Sequence, residues 1–98
     1  VVIDNGFLGM VRQWQEMFYG RRYSGSHHPC PDLVGLAEAL GCKGMRITEP
    51  GEVADGIREM LKAEGPVVLA ASVEPEENVF PMVAAGKSLH EMDMGRLV

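Results

Sequence analysis

The nearly unbroken apolar run from Val67 to Val73 is the feature that most constrains how this chain folds. Gly65 and Pro66 stand directly before it, and residues of these types end helices and separate elements. Successive side chains of a strand point to opposite faces of a sheet, so a run that is apolar at odd and even positions needs cover on both faces. The run therefore predicts an internal strand of a parallel sheet with flanking helices.

Helical and strand patterns alternate ahead of this strand. Apolar residues spaced three and four apart predict helices from Leu8 to about Phe18, from Asp32 to Leu40 and from Pro50 to about Lys62. A short apolar run predicts a strand at residues 1–3, and alternating residue types predict a strand at residues 44–48. The order strand, helix, helix, strand, helix, strand predicts an α/β fold with right-handed crossovers.

The regular pattern ends at Glu74, and it divides the chain into two parts. We assign residues 1–83 to the α/β domain, which closes on the apolar segment 79–83, and residues 84–98 to a C-terminal tail that we expect to be mobile. The chain opens inside an apolar β-branched run at Val1, so we expect it to be part of a longer polypeptide.

The charge balance argues against several classes of partner. The chain carries 9 Lys and Arg against 14 Asp and Glu, a net charge of −5, whereas nucleic acids and anionic membranes bind clustered positive charge. No apolar run reaches the roughly 18 residues that a membrane helix needs. Two cysteines do not make a disulfide scaffold. We therefore expect a cytoplasmic protein with no nucleic-acid or membrane partner.

The first candidate site is the polar sequence Asp4-Asn5-Gly6, directly after the first predicted strand. Ligands of open parallel sheets bind beyond the carboxyl ends of the strands. An asparagine side-chain oxygen and a backbone carbonyl are hard ligands that suit Mg²⁺, whose other positions are filled by phosphate oxygens and water. The same three residues also form an ordinary turn, and spacing alone leaves both interpretations open.

Four potential zinc ligands form the second candidate site, and they are His27, His28, Cys30 and Cys42. Their spacing matches no ordinary zinc pattern, because no two cysteines are separated by two residues. We therefore favour a surface loop and a small buried thiol over a metal site.

Several other side chains have both a functional and a structural interpretation. Trp14 stands at helical spacing, which is typical of a core residue. The adjacent Arg21 and Arg22 suit an anion clamp, although exposed arginines are usually solvated. We interpret the acidic group as a solvated turn, and it comprises Glu74, Glu76 and Glu77.

The segment from Asp4 to Gln15 resembles a motif of the acetolactate synthase (acetohydroxyacid synthase) family, Asn-Asn-x-x-x-Gly-Met-Val-x-Gln-Trp. The resemblance continues in order through residues 18–24, 31–41 and 65–67 to Phe80-Pro81-Met82-Val83, so that it spans nearly the whole chain. Enzymes of this family are transferases that join two 2-keto acids with thiamine diphosphate. The resemblance implies the C-terminal half of a thiamine-diphosphate-binding domain.

The same resemblance implies roles for five residues in the loop after the first strand and the helix that follows it. The side chain of Asn5 and the backbone carbonyl of Phe7 would hold the Mg²⁺ that anchors the diphosphate, and Gly9 and Met10 would border the cofactor. Met10 and Trp14 would line the substrate channel. Asp4 stands where the family more often has asparagine, next to the ligand rather than in its place. The glutamate that activates the cofactor belongs to another domain, so no catalytic residue is expected in this chain.

For the whole protein, the resemblance implies condensation of two pyruvates, or of pyruvate and 2-ketobutyrate, to an acetohydroxy acid with release of carbon dioxide. This reaction belongs to branched-chain amino-acid biosynthesis. The expected FAD of this flavoprotein family would bind outside this chain. Expected partners are the rest of the catalytic subunit, further copies in a homodimer or larger homo-oligomer, and a small regulatory subunit. The location would be a plastid or mitochondrion in a eukaryote, and the isolated chain would be inactive.

A different class of function remains as the alternative. A fold hosts many functions, so the alternative is that the chain is a stand-alone, non-catalytic α/β binding or interaction module that uses the same scaffold.

Overall fold

The computed structural model describes residues 1–95 of the chain. Its strands are β1 (Val2–Asp4), β2 (Lys43–Ile47) and β3 (Val67–Ser72), and its α-helices are α1 (Gly9–Phe18), α2 (Leu33–Ala39) and α3 (Val53–Lys62). Short 3-10 turns cover Pro50–Glu52 and Leu89–Glu91. The predicted order of elements is confirmed, with boundaries that differ by one to three residues. No helix in this part of the chain is long and apolar enough to cross a membrane.

The three strands form a parallel sheet in the order β1-β3-β2. Val2 lies opposite Ala70 across the β1–β3 pair, and Met45 lies opposite Leu69 across the β2–β3 pair. β3 is therefore the central strand, as its apolar run predicts. Leu69 and Ala70 are fully buried, which places the centre of the core at this strand.

Helices α2 and α3 cover opposite faces of the sheet through close approaches at glycines. A Cβ atom on Gly44 of β2 would lie 2.7 Å from the backbone oxygen of Val34 in α2. A Cβ atom on Gly56 of α3 would lie 2.7 Å from Cδ1 of Ile47. Gly44 and Ile47 are three positions apart on one strand, so they face opposite sides. The two-sided cover predicted from the sequence is confirmed, and it depends on the missing side chains of these two glycines.

Helix α1 has the predicted length but buries the side opposite to its apolar stripe. Its apolar residues Leu8, Val11, Trp14 and Phe18 are exposed, whereas Arg12 and Gln13 are buried. The interpretation of Trp14 as a core residue is therefore wrong for this chain. The reason is position: α1 stands away from the sheet, and its polar side packs on the segment after β3. The radius of gyration, 17.1 Å, exceeds the ~13 Å of a compact domain of this length.

The tail makes contacts with the segment before it as far as Gly95, and its expected mobility stays a prediction. Met82 and Asp93 exchange both backbone hydrogen bonds, at 2.9 and 2.8 Å, so the chain after residue 82 returns on itself. A Cβ atom on Gly95 would lie 2.8 Å from the ring of Phe80, which closes this return. Residues 96–98 of the predicted tail lie outside the described residues.

Candidate functional site

The loop after β1 contains two turns, in each of which a side chain accepts a hydrogen bond from the backbone two residues further along the chain. The Gly6 N–H donates to Oδ1 of Asp4 at 3.0 Å, and the Phe7 N–H donates to Oδ1 of Asn5 at 3.0 Å. Gly6 has a φ of +69°, a conformation that glycine adopts without a steric penalty. The predicted Asp-Asn-Gly turn is confirmed, and it fixes the orientation of the Asn5 side chain.

A second segment of chain holds this loop from the side. The Leu8 N–H donates to the carbonyl of Ser26, and the His28 N–H donates to the carbonyl of Gly6, both at 2.8 Å. The loop at residues 6–8 is thereby paired antiparallel to residues 26–28 around Phe7 and His27. The backbone of residues 26–28 thus supports the loop that follows β1.

Two oxygen atoms of this loop are available to a ligand. Among residues 1–95 no hydrogen bond is made to the carbonyl oxygen of Phe7. Oδ1 of Asn5 accepts one hydrogen bond and has a second lone pair. Gly9 begins α1 beside Asn5, since a Cβ atom there would lie 3.2 Å from the Asn5 amide nitrogen. The structure thus brings together Asn5, Phe7 and Gly9, three of the residues predicted for the cofactor site.

Arg12 joins α1 to this loop and to the segment after β3. Its side chain is only about 5% exposed. Its guanidinium carbon lies 5.3 Å from the ring centroid of Phe7 and 5.0 Å from that of Tyr23. It also pairs with Glu16 at 3.2 Å and with Glu76 at 3.5 Å. A planar guanidinium suits both roles, because it stacks on rings while its edge donates hydrogen bonds. Sequence reasoning missed Arg12, although its spacing of four from Glu16 is a usable signal.

The exposed side of α1 forms an open groove of about 730 Å³. The residues that line it are Met10, Val11, Trp14, Gln15, Tyr19 and Arg22. Trp14 stands edge-on to Phe18, with ring centroids 5.9 Å apart. Met10 and Trp14, the two residues predicted for a substrate channel, therefore share one concave surface. Their role as a channel stays a prediction.

Comparison with known proteins decides the family. Residues 1–71 match the family described as thiamine pyrophosphate enzyme, C-terminal TPP binding domain. The chain belongs to this thiamine pyrophosphate enzyme family. It is 40% identical over 91 residues to the mitochondrial acetolactate synthase of Schizosaccharomyces pombe. The aligned residues make up 93% of this chain and 14% of that protein.

Two further relatives are similar to this chain over nearly its whole length. The mitochondrial acetolactate synthase catalytic subunit of Saccharomyces cerevisiae is 42% identical over 91 residues, which are 93% of this chain and 13% of that protein. An acetolactate synthase of Mycobacterium bovis is 46% identical over 101 aligned residues, 97% of this chain and 16% of that protein. The chain therefore spans about one seventh of the length of these relatives. Similarity of this extent to enzymes disfavours the alternative of a non-catalytic module.

The loop after β1 fits the cofactor of a thiamine pyrophosphate enzyme. Proteins often bind phosphates together with a hard divalent cation such as Mg²⁺, and such a cation prefers oxygen ligands. The carbonyl of Phe7, which accepts no hydrogen bond among the described residues, and the fixed amide oxygen of Asn5 are two neutral ligands of this type. Neither brings charge, so other groups would have to neutralise the cation.

The other candidate sites of the sequence resolve as structural features. Within residues 1–95 no three side chains of the metal-binding types lie together, so the zinc alternative finds no support. Cys30 is exposed, and Cys42 is a half-buried free thiol. The predicted solvated acidic turn is confirmed, because Glu74, Glu76 and Glu77 are all exposed. Glu76 reaches back to Arg12 and thereby helps to hold α1, although most of its side chain is exposed.

Proposed function

We propose that this chain is the C-terminal half of the cofactor-binding domain in the catalytic subunit of an acetolactate synthase. The observation that carries the proposal is the coincidence of two findings at one place. The motif shared with the family includes Asn5, and the structure leaves the Phe7 carbonyl beside it without a hydrogen bond among the described residues.

In this function the chain binds and positions rather than catalyses. Asn5 and the Phe7 carbonyl hold Mg²⁺, and Gly9 and Met10 border thiamine diphosphate. Thiamine diphosphate, when bound, supplies the nucleophilic carbon and the electron sink for decarboxylation. Met10 and Trp14 line the route of the 2-keto acids. The whole enzyme would condense two pyruvates, or pyruvate and 2-ketobutyrate, and release carbon dioxide and an acetohydroxy acid for branched-chain amino-acid biosynthesis.

The remaining parts of the enzyme lie outside these residues. We propose that they include the FAD site, the catalytic glutamate, the rest of the catalytic subunit, a second subunit copy and a regulatory subunit. The exposed apolar side of α1 supports the presence of covering protein, because a stripe of four large apolar residues is rarely left in water. The protein would act in the cytoplasm, or in a plastid or mitochondrion, and the chain alone would be inactive.

A segment exchange tests the proposal. This chain replaces the matching segment of the Schizosaccharomyces pombe acetolactate synthase, and acetolactate formed from pyruvate is measured with Mg²⁺ and thiamine diphosphate. We expect activity with the chain in place and none when the segment is deleted. An exchanged enzyme that folds and binds cofactor but forms no acetolactate refutes the proposal.

Two variants of Asn5 in the exchanged enzyme test the metal site. Asn5→Ala removes the oxygen ligand, so the Mg²⁺ concentration for half-maximal activity should rise about tenfold or more, since even outer partners of a ligand are worth that much. Asn5→Asp is the matched control, because it keeps an oxygen at the same position and should retain more of the Mg²⁺ affinity. Equal Mg²⁺ requirements for the alanine variant and the wild type would remove Asn5 from the ligand set.

A further inference from the structure

Helix α1 is held in place by polar contacts rather than by apolar burial. Its two buried residues are Arg12, which is 4% exposed, and Gln13, which is 1% exposed. Amphipathic helices usually bury an apolar stripe, which tolerates sliding because apolar contacts have no direction. Hydrogen bonds have direction, so the orientation of α1 depends on the few atoms that make them.

Gln13 bonds to both backbone groups of Val79. The Val79 N–H donates to Oε1 of Gln13 at 2.8 Å, and Nε2 of Gln13 donates to the Val79 carbonyl at 2.9 Å. Nε2 also lies 3.1 Å from the sulfur of the buried Met82. The amide therefore pairs with Val79 as a neighbouring strand would, and its oxygen and nitrogen both have hydrogen-bond partners.

Residues 76–82, which we call the anchor segment, meet α1 at two further points. Nη2 of Arg12 lies 3.5 Å from Glu76, and the amide nitrogen of Asn78 donates to Glu16 at 3.1 Å. Both of these points involve exposed or half-exposed carboxylates. The Gln13–Val79 pair involves a fully buried side chain, which makes it the least replaceable contact between α1 and the anchor segment.

We propose that Gln13 is a positioning residue that sets the groove of Met10 and Trp14 by fixing α1 to the anchor segment. Met10 and Trp14 lie on the same rigid helix as Gln13, within one turn on either side. A change in how Gln13 holds Val79 therefore moves the groove as a unit. The role of this groove as a substrate route rests on the proposed function, whereas the positioning of α1 does not.

Amide hydrogen exchange in this chain tests the positioning itself. Gln13→Met has a similar length and stays apolar beside Met82, but it removes both bonds to Val79. We expect the exchange rate of the Val79 amide to rise about tenfold or more, since two hydrogen bonds of ordinary net strength are lost. Exchange at Leu69 in β3 should stay unchanged. An unchanged Val79 rate overturns the proposal, and so does a uniform rise that includes Leu69.

Gln15→Met is the matched control, because Gln15 makes the corresponding pair with the backbone of Ser24 on the same helix, at 2.8 and 3.3 Å. It should speed exchange at Ser24 and leave Val79 unchanged. Gln13→Glu covers the case in which Gln13→Met does not fold. Its carboxylate can accept from the Val79 N–H but cannot donate to the Val79 carbonyl, and the two oxygens repel each other, so Val79 should exchange faster than in the wild type. A Val79 rate equal to that of the wild type in this variant overturns the proposal.

Steady-state kinetics of the exchanged enzyme separate positioning from a general structural role. Gln13→Met should raise the KM for pyruvate several-fold with little change in kcat, because a displaced groove affects binding of the substrate more than the chemistry. A fall in kcat at unchanged KM overturns the link between Gln13 and the groove. An inactive wild-type exchange would refute the proposed function, and the exchange rates at Val79 would still decide whether Gln13 positions α1.

Discussion

Substitution of Gly44 by alanine should destabilise the fold more than the same substitution of Gly56, the glycine at the other contact between a helix and the sheet. The new Cβ would lie 2.7 Å from the Val34 carbonyl oxygen, 2.8 Å from its Cα and 2.9 Å from its Cγ1. Two of these atoms are backbone, so no side-chain rotation relieves the overlap. Helix α2 has to move away from β2 by several tenths of an ångström.

The size of the effect follows from two opposing contributions. Overpacking a close contact costs about 1–3 kcal/mol. Replacing glycine by alanine within a strand returns roughly 0.5–1 kcal/mol, because the unfolded chain loses less entropy on folding. The net loss is about 1–2 kcal/mol, and each kcal/mol lowers the melting temperature of a chain this size by roughly 4–8 °C.

Urea unfolding followed by far-UV circular dichroism measures this loss, with two other glycines as graded controls. Gly51→Ala has nothing within 4 Å of the new Cβ and should be neutral or slightly stabilising. Gly56→Ala meets the flexible end of Ile47 and gains about 1 kcal/mol of helix propensity, so it should fall between the other two. If Gly44→Ala and Gly51→Ala unfold at the same urea concentration, α2 does not approach β2 as closely as described.

Two further predictions concern charged residues. Hydrogen bonds from the backbone of Thr48, and secondly of the next residue, lower the pKa of Glu52. The ionised carboxylate of Glu52 therefore contributes its full stabilisation above the pKa that Glu52 has in the unfolded chain, and this stabilisation is lost as the pH falls through the lower pKa of the folded chain. Glu52→Gln should weaken the acid dependence of urea unfolding. An unchanged acid dependence would contradict this cause. Arg12→Lys should destabilise the chain by about 1–2 kcal/mol in the same assay, because an ammonium cannot stack on two rings and pair with two carboxylates. Arg58→Lys, which changes an exposed pair, should cost no more than about 0.5 kcal/mol, and equal losses for the two variants would refute the structural role of Arg12.

The elements of the fold follow from local patterns in the sequence. The period of the apolar residues and the positions of glycine and proline predict three strands and three helices in the observed order. These signals are local because helices and strands repeat over a few residues. The apolar run at Val67 also identifies the central strand, since only a strand with helices on both sides is apolar at successive positions.

The candidate site was predictable in its residues but not in its geometry. Asn5, Phe7, Gly9 and Met10 were predicted from the resemblance to a family motif. The hydrogen bond from Phe7 to Asn5 is local and belongs to the predicted turn. The pairing that holds this loop from the side comes from residues 26–28, which lie twenty positions away. No spacing near Asn5 contains that information.

The sequence by itself determined which segments are helical or extended, that the sheet is parallel, and which family the motif at Asn5 resembles. Only the tertiary structure decided which side of α1 is buried. The apolar stripe of α1 predicts a buried face, but the helix lies away from the sheet, and the surface it meets is a backbone with unpaired hydrogen-bonding groups. Gln13 satisfies those groups and is buried, while Trp14 stays exposed. Periodicity describes a helix alone, whereas burial depends on the surface against which the helix packs.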